Sequence, residues 1–500
     1  MIRYSLGIDI GTTSVKVILI SSEGKIICES NQSHNLLSLH RNWAEENADE
    51  WWQNVIDAVK EIRDKAPKEL SEICCIGCSG MVPAIVLLDR NGKVLRNTIQ
   101  QNDARCIEQI AYLTEKIDQD ELYARTGGRT NQQHILPRLL WVKENEPDVW
   151  AEVDCVMGSY DYILYKLSGV KSLELNWAAE SGCFDIRTRE WLTDQIELCG
   201  MNPAMLPKVN DPMEIAAETS ADMKELMGLP AGVPIIGGSA DHVASTLAAG
   251  IIDEGDLLIK FGGAGDILYC TEELKTSDKL FFDYHDVPGK YLLNGCMASS
   301  GSLVKWFTHD ILRCDDKDVL KKLDAEAEKL PPASDGLIIL PYFLGEKTPI
   351  FDPEARGIMF GLTLAHTHAH IFKAIMESVV YGFRHHIDVL TDMGYKPKQV
   401  IASDGGAKSP LWCQISADIL NEEIKAYPSH PGSGLGVAFV AGMSVGMFSE
   451  WSEIRAFLSD YKTYKPDPDA VKVYDKAYEV YRRLYPELKE DCMLLTELYD

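Results

Sequence analysis

Long apolar runs, positive charge and paired cysteines are what this chain has least of. No run of about 18 apolar residues free of charge occurs, so no membrane-spanning helix is expected. The opening M-I-R-Y-S-L-G-I-D-I is interrupted by Asp9 and followed by no small-residue cleavage site, so no secretory signal is expected either. Lysine and arginine number 49 against 76 acidic residues, a net charge of −27. So acidic a chain is a poor partner for nucleic acid or anionic membranes, and no helix-turn-helix precedes the first strand. A phosphorylated ligand stays admissible, because backbone amides and a divalent cation supply positive potential locally. The thirteen cysteines are odd in number and cluster only at Cys74, Cys75 and Cys78. No second pair stands at zinc spacing, so they read as reduced, mostly buried thiols of a cytoplasmic protein. Low-complexity tracts are absent.

What is present is enough chain for two cores. The 500 residues are 46% hydrophobic, and single cores stop growing near roughly 250–300 residues. Residues 5–20, S-L-G-I-D-I-G-T-T-S-V-K-V-I-L-I, carry the densest signal. Leu6, Ile8 and Ile10 alternate into a turn and Val15, Val17 and Leu19 alternate out of it, the pattern of an antiparallel hairpin. Gly11 allows close approach of a ligand, Thr12, Thr13 and Ser14 offer hydroxyls and amides, and Asp9 can orient a hydrated Mg²⁺. An ordinary hairpin whose Asp and Thr satisfy turn amides has the same residues.

Strand-like and helix-like segments alternate along the rest of the chain, so the fold class is α/β. A helix is expected over Trp43–Ile62, with Trp51, Val55, Val59 and Ile62 on one stripe, and strands over Ile73–Gly77 and Ala84–Leu88. The clearest break lies near Pro230–Gly250. Shortly after it, L-L-I-K-F-G-G-A-G-D-I-L-Y (Leu257–Tyr269) repeats the strand–glycine turn–strand logic of the opening. Two phosphate-type hairpins, one per half, suggest a duplicated fold; glycines in strand turns are also common without a ligand. A helix is expected over residues 369–390, a strand–glycine loop–helix at Ile401–Trp412, and a glycine-rich loop opening a helix at His430–Gly442.

Asp241 is the candidate catalytic base, at the end of a strand after Gly237 and Gly238 and before an expected helix His242–Ala249. The alternative is a helix N-cap, a frequent place for Asp. In Ser403–Ser409, Gly405 and Gly406 leave room for a flat base or ribose, although a left-handed turn would call for the same glycines. Asn102, Asp103 and Arg105 could hydrogen-bond a polyhydroxylated substrate or cap the helix that follows.

Taken in order, G-I-D-I-G-T-T-S-V-K, W-A-E-E-N-A-D-E-W-W, L-P-Y-F-L-G-E-K-T-P-I, G-I-M-F-G-L-T and D-G-G-A-K-S-P-L-W resemble the FGGY carbohydrate kinases, and within them the xylulokinases. The resemblance runs from Gly7 to about Gly446 and rests on collinearity more than on any single motif. It implies two duplicated actin-like (ribonuclease H-like) domains, 1–246 and 247–500, with a catalytic cleft between them, sugar bound mainly by the first and ATP by the second. It places Asp9 at the metal-associated acid and Gly11, Thr12 and Thr13 at the first phosphate loop. Gly262, Gly263, Ala264 and Gly265 fall at the second phosphate loop, Gly405, Gly406 and Ala407 at the adenosine loop, and Asp241 at the base. ATP and Mg²⁺ are the implied cofactors, a small ketose or polyol the implied substrate, and dimers are frequent among similar proteins. Two departures bear on specificity and one on phosphate. The second loop reads F-G-G-A-G instead of L-G-T-S-G. Met81, Val82 and Pro83 stand where xylulokinases carry Gln-Met-His facing the sugar, and Gln101 replaces a Trp. The acceptor is therefore D-xylulose as first choice, or ribulose, a tetritol or a signalling polyol. An ATP-binding switch without sugar transfer is the rival of a different kind.

Overall fold

The computed structural model describes residues 2–40, 43–101, 103–429, 431–458 and 460–498. They group into two α/β units: Met1–Ile252 with Asp283–Lys290 and Pro431–Leu458, and Asp253–Phe282 with Tyr291–His430 and Ser459–Asp500. The chain first crosses after Ile252 and then returns twice to the first unit.

In the first unit the opening hairpin forms with the register its alternation dictates. Tyr4–Ile10 and Ser14–Ser21 pair antiparallel with Leu6 opposite Leu19 and Ile8 opposite Val17. Tyr4–Ile10 also pairs parallel with Ile73–Gly80, placing Asp9 beside Ser79 and Ile10 beside Gly80. The sheet continues through Pro234–Ile236 to Ile215–Glu218 on one side and ends at Lys25–Ser33 on the other, with Ser239–Ala240 adding to Ile73–Gly80. The near-continuous burial of the central strands Tyr4–Ile10 and Ile73–Gly80 reflects cover on both faces, whereas the edge strand Lys25–Ser33 is mostly exposed. One covering helix, Ser433–Ser444, packs so closely that a Cβ on Gly7 would stand 2.0 Å from the Gly434 carbonyl oxygen. Glycine at position 7 is thus a packing requirement, which its place inside a strand leaves unannounced.

The helix expected from Trp43 starts later, at Ala48, and runs to Lys65. Asn47 caps it, its Oδ1 accepting from the Asp49 amide at 2.9 Å, while Glu45–Glu46 pairs as a short strand with Thr98–Ile99. The local cap overrode the acidic, helix-favouring run before it.

The second unit repeats the arrangement with different residues. Asp256–Phe261 pairs antiparallel with Gly265–Thr271 and parallel with Gln399–Ser403. Its core joins the helix His368–Asp392 to Pro410–Leu420 and Pro468–Glu497, with Tyr381, Tyr474, Tyr478 and Tyr481 packed ring to ring. The buried Glu377 carboxylate accepts from the hydroxyls of Ser334 (2.8 Å) and Tyr474 (2.9 Å), so this acid inside an aromatic cluster is hydrogen-bonded.

Candidate active site

Parallel pairing brings the two acids singled out in the sequence together. Ser239 lies beside Ser79 and Ala240 beside Gly80, the residues that flank Asp9 and Ile10 from the other side. Asp9 and Asp241 therefore emerge at the carboxyl ends of two parallel strands of one unit that flank Ile73–Gly80. In open α/β sheets this end is where ligands bind. The chain reaches Asp241 through Gly238, whose φ of +105° and whose position against the Cys78 carbonyl oxygen (2.6 Å from a Cβ) admit no side chain.

Asp241 is the first residue of the helix Asp241–Ala248 and does not cap it; Ala240 holds the capping position without a side-chain hydrogen bond. The Asp241 Oδ1 accepts from the amide of His242 at 2.6 Å, and about a third of the side chain (34%) stays open. Asp9 accepts from the Ser79 hydroxyl at 2.9 Å. Burial, followed by the charge of Asp241, pushes its carboxyl up to about 6, while the hydroxyls of Ser433 and Ser79 and the ammonium of Lys16 pull the other way. A buried acid raised by a second carboxylate in this way fits the hard, oxygen-liganded chemistry of Mg²⁺.

Around them lies an acidic shell that the sequence reading missed. Glu174 accepts from the Tyr160 hydroxyl at 2.6 Å, and burial pushes it to about 7. Asp286 accepts from the Ser239 hydroxyl at 3.1 Å and is pushed by burial to about 8. His242 stands with Nε2 3.2 Å from Asp283 and 3.7 Å from Glu180, and with Nδ1 3.5 Å from Asp241. Burial works against its imidazolium, but the charges of Asp283 and Glu180 outweigh it and hold His242 well above its ordinary value. His242 was visible beside Asp241 in the sequence; Glu180 and Asp283, at distant positions in the chain, carried no local signal.

The remaining substrate candidates behave differently from one another. Met81 and Val82 are buried, with the Met81 amide donating to the Ile10 carbonyl at 3.2 Å, so this apolar loop leaves the strand Ile73–Gly80 beside the end of the Asp9 strand. Asp103 is saturated: it accepts from the Ala44 amide (2.6 Å), the Arg105 amide (3.0 Å) and the Arg105 guanidinium (2.9 and 2.7 Å). Its carboxylate shapes the loop and has no lone pair left facing outward. Asn102 lies outside the described residues. Arg138, absent from the sequence reading, is fully buried and donates to the carbonyls of Pro83 (2.6 Å), Gln101 (3.0 Å) and Gln132 (2.8 Å). It ties the Met81–Pro83 loop to the segment before Asn102. An apolar-looking helix, I-L-P-R-L-L-W, gave no hint that its one cation points inward.

In the second unit Gly262, Gly263 and Ala264 form the turn between two hairpin strands. The amides of Ser300 and Ser302 donate to the Gly263 carbonyl at 2.9 and 3.1 Å, and that of Gly301 to Gly262 at 2.8 Å. A Cβ on Gly263 would meet nothing within 4 Å, so the turn is open on that side. The hydroxyls that F-G-G-A-G lacks have neighbours in Ser300 and Ser302, whose buried Oγ atoms have no hydrogen-bond partner among the described residues. At the third loop the left-handed residue is Asp404 (φ +69°), while Gly405 is helical (φ −59°). Gly406 is instead needed for packing, since a Cβ there would stand 2.5 Å from that of Phe261 and 2.8 Å from the Trp412 ring.

Two α/β units built on one strand plan, with paired acids in the first and open glycine turns in the second, define a phosphotransferase of the actin-like ATPase fold. The family model described as "FGGY family of carbohydrate kinases, N-terminal domain" matches residues 4–248, and its C-terminal counterpart matches 267–445. The chain belongs to the FGGY family of carbohydrate kinases, and is an ATP-dependent sugar kinase. It is similar to xylulose kinase from Bacillus subtilis (strain 168), 28% identical over 491 residues and 98% of both chains. Gluconokinase from Bacillus licheniformis is 26% identical over 503 residues, covering 98% of this chain and 97% of its own. The crystal structure of xylulose kinase from Rhodospirillum rubrum superposes with a TM-score of 0.93 at 38% identity, covering 98% of this chain and 100% of that one.

The acids raised by burial make a stability prediction. Asp9 (about 6), Glu174 (about 7), Glu377 (about 7), Asp286 (about 8) and Glu346 (about 8) all bind protons more tightly folded than unfolded. A raised acid favours the folded state fully below its unfolded value near 4 and loses that contribution as pH rises through its folded value. Urea midpoints should therefore fall steadily from pH 6 to pH 8.5. A midpoint that rises over that interval would contradict the assignment.

Proposed function

We propose that this kinase transfers the γ-phosphoryl group of ATP to a terminal hydroxyl of a small ketose or polyol, with D-xylulose giving D-xylulose 5-phosphate as the first choice. The observation that carries this reading is the placement of Asp9 and Asp241 at the ends of the two strands that flank Ile73–Gly80 in parallel, with the charge of Asp241 felt at Asp9. Asp241 is the base: it has an exposed carboxylate fixed by the His242 amide and receives the acceptor's hydroxyl proton as the oxygen attacks phosphorus. Because the transition state is loose, the proton leaves late and a well-placed carboxylate suffices. Asp9, a carboxylate among hydroxyls, would hold Mg²⁺ through water, and bound Mg²⁺ would neutralise phosphate charge. Gly11, Thr12 and Thr13 in the first unit and Gly262–Gly265 in the second present amides to the phosphates, and Gly405, Gly406 and Ala407 receive the adenosine. The Met81–Pro83 loop, with Asn102 and the segment that Asp103 shapes, borders the acceptor.

None of the thirteen cysteines is joined in a disulfide, which supports the reducing cytoplasm as the working compartment, and among the described residues no helix is long and apolar enough to cross a membrane. The test is ADP release with Mg-ATP across ketoses, aldoses and polyols. We expect stimulation by D-xylulose or a close relative. A rate independent of every acceptor would favour an ATP-hydrolysing switch instead.

A further inference from the structure

Where the family resemblance leads one to look for hydroxyl-reading groups, on the loop 81–83, this chain has Met, Val and Pro. We propose that their work has passed to Glu180, His242 and Asp283, which form a wall selecting an uncharged polyhydroxyl acceptor and rejecting sugar acids. This rests on the kinase reading above and narrows its acceptor.

The wall is built, not incidental. The short helix Leu175–Glu180 ends on Glu180, and its Asn176 side chain pins the backbone of Tyr284 with two hydrogen bonds, 2.9 Å to the carbonyl and 2.8 Å from the amide. One helix thus carries the first acid and fixes the segment bearing the second. His242 bridges them at 3.7 and 3.2 Å and lies next to the base in sequence and in space. Asp283 is 0% exposed, and among the described residues its two oxygens, Glu180 Oε1 and His242 Nε2 are held only by the ion pairs through His242, with no well-formed hydrogen bond to complete them. Buried polar groups left open in this way are expensive unless something completes them. Glu180 and His242 keep 23% and 17% of their side chains accessible, and Asp241, 3.5 Å from His242, keeps 34%, so a completing group can reach part of the wall.

A sugar hydroxyl suits this surface because it both donates and accepts: carboxylates accept its proton and the imidazolium donates to its oxygen. A sugar carboxylate does not. It would sit among Asp241, Glu180 and Asp283 with His242 already shared between them. The two other buried cations of this region are occupied, Arg105 by Asp103 and Glu45 and Arg138 by three carbonyls. Like charge without a compensating partner is the repulsive element from which specificity is made. Ligand atoms of Glu180, His242 and Asp283 also lie within 4.8 Å of one another, a spacing that would suit a divalent cation. The protonated imidazole already places positive charge between the carboxylates, so a metal is not needed to hold them.

The closing experiment compares D-xylulose and D-gluconate as acceptors in the ADP-release assay with saturating Mg-ATP. For the unaltered protein kcat/KM should be at least 100-fold higher for D-xylulose. Glu180→Gln, at a partly open position, should narrow the ratio several-fold without changing the KM for ATP, and Glu180→Gln with Asp283→Asn should narrow it further. Equal use of both acceptors, or a ratio unmoved in the folded Glu180→Gln variant, would overturn the wall while leaving the kinase reading intact. No stimulation by either acceptor would overturn the wall and D-xylulose as the first-choice acceptor together, while the sugar-kinase class would stand.

Discussion

Replacing Asp241 by Asn is expected to lower kcat by about 10²–10⁴-fold, the range a positioned general base supplies, with the KM for ATP unchanged. The amide keeps the size of the carboxylate and its oxygen can still accept from the His242 amide, now 2.6 Å away. What it loses is the capacity to take the acceptor's proton. Since Ala240 and not Asp241 caps the helix, the fold does not depend on the carboxylate, and Asp241→Ala should melt close to the unaltered protein. A second consequence separates a base from a bystander. The charge of Asp241 helps to raise Asp9, so Asp241→Asn should relax the Asp9 carboxyl downward from about 6. Observed by carbonyl-labelled infrared or NMR titration, an unmoved Asp9 would deny the pairing. Full turnover by either variant would deny the base.

Gly436→Ala is expected to do the opposite, costing the fold more than the chemistry. In an exposed helix interior the change would add about 1 kcal/mol of stability. Here the new Cβ would lie 1.9 Å from the Ala244 carbonyl oxygen, on the helix that begins with Asp241. Backbone cannot yield as a side chain tip does, so the helices must separate, and overpacking of this kind costs about 3 kcal/mol or more. The helix Ser433–Ser444 also presents the Ser433 hydroxyl to Asp9, so both acids lose their frame together. Thermal melting should show a clear drop and residual activity should fall in proportion to the folded fraction. A variant as stable as the unaltered protein would mean that the two helices are not in such contact.

How far the sequence led can be judged from these same residues. Alternation of apolar residues specified the opening hairpin down to its register, because period two fixes which side chain faces the core. Asp9, Asp241 and the glycine turns were legible for a related reason: their chemistry is concentrated in a few adjacent residues. The shifted helix start at Ala48 was not legible, since Trp43–Asn47 has helical composition and only the cap decides. The steric reason for Gly406 was not legible in the sequence, because Asp404 takes the positive φ and a Cβ on Gly406 would meet Phe261. Asp103 looked like a free hydrogen-bonding group and is occupied by Arg105 and Ala44. Glu180, His242 and Asp283 come from three separate stretches joined only by tertiary packing, and no pattern along the chain records that meeting.

The most direct measurement is ³¹P NMR of the protein turning over Mg-ATP with D-xylulose. If Asp241 delivers an acceptor oxygen to the γ-phosphorus, a sugar phosphomonoester resonance should grow in step with ADP and vanish in Asp241→Asn. Inorganic phosphate as the sole product would contradict it.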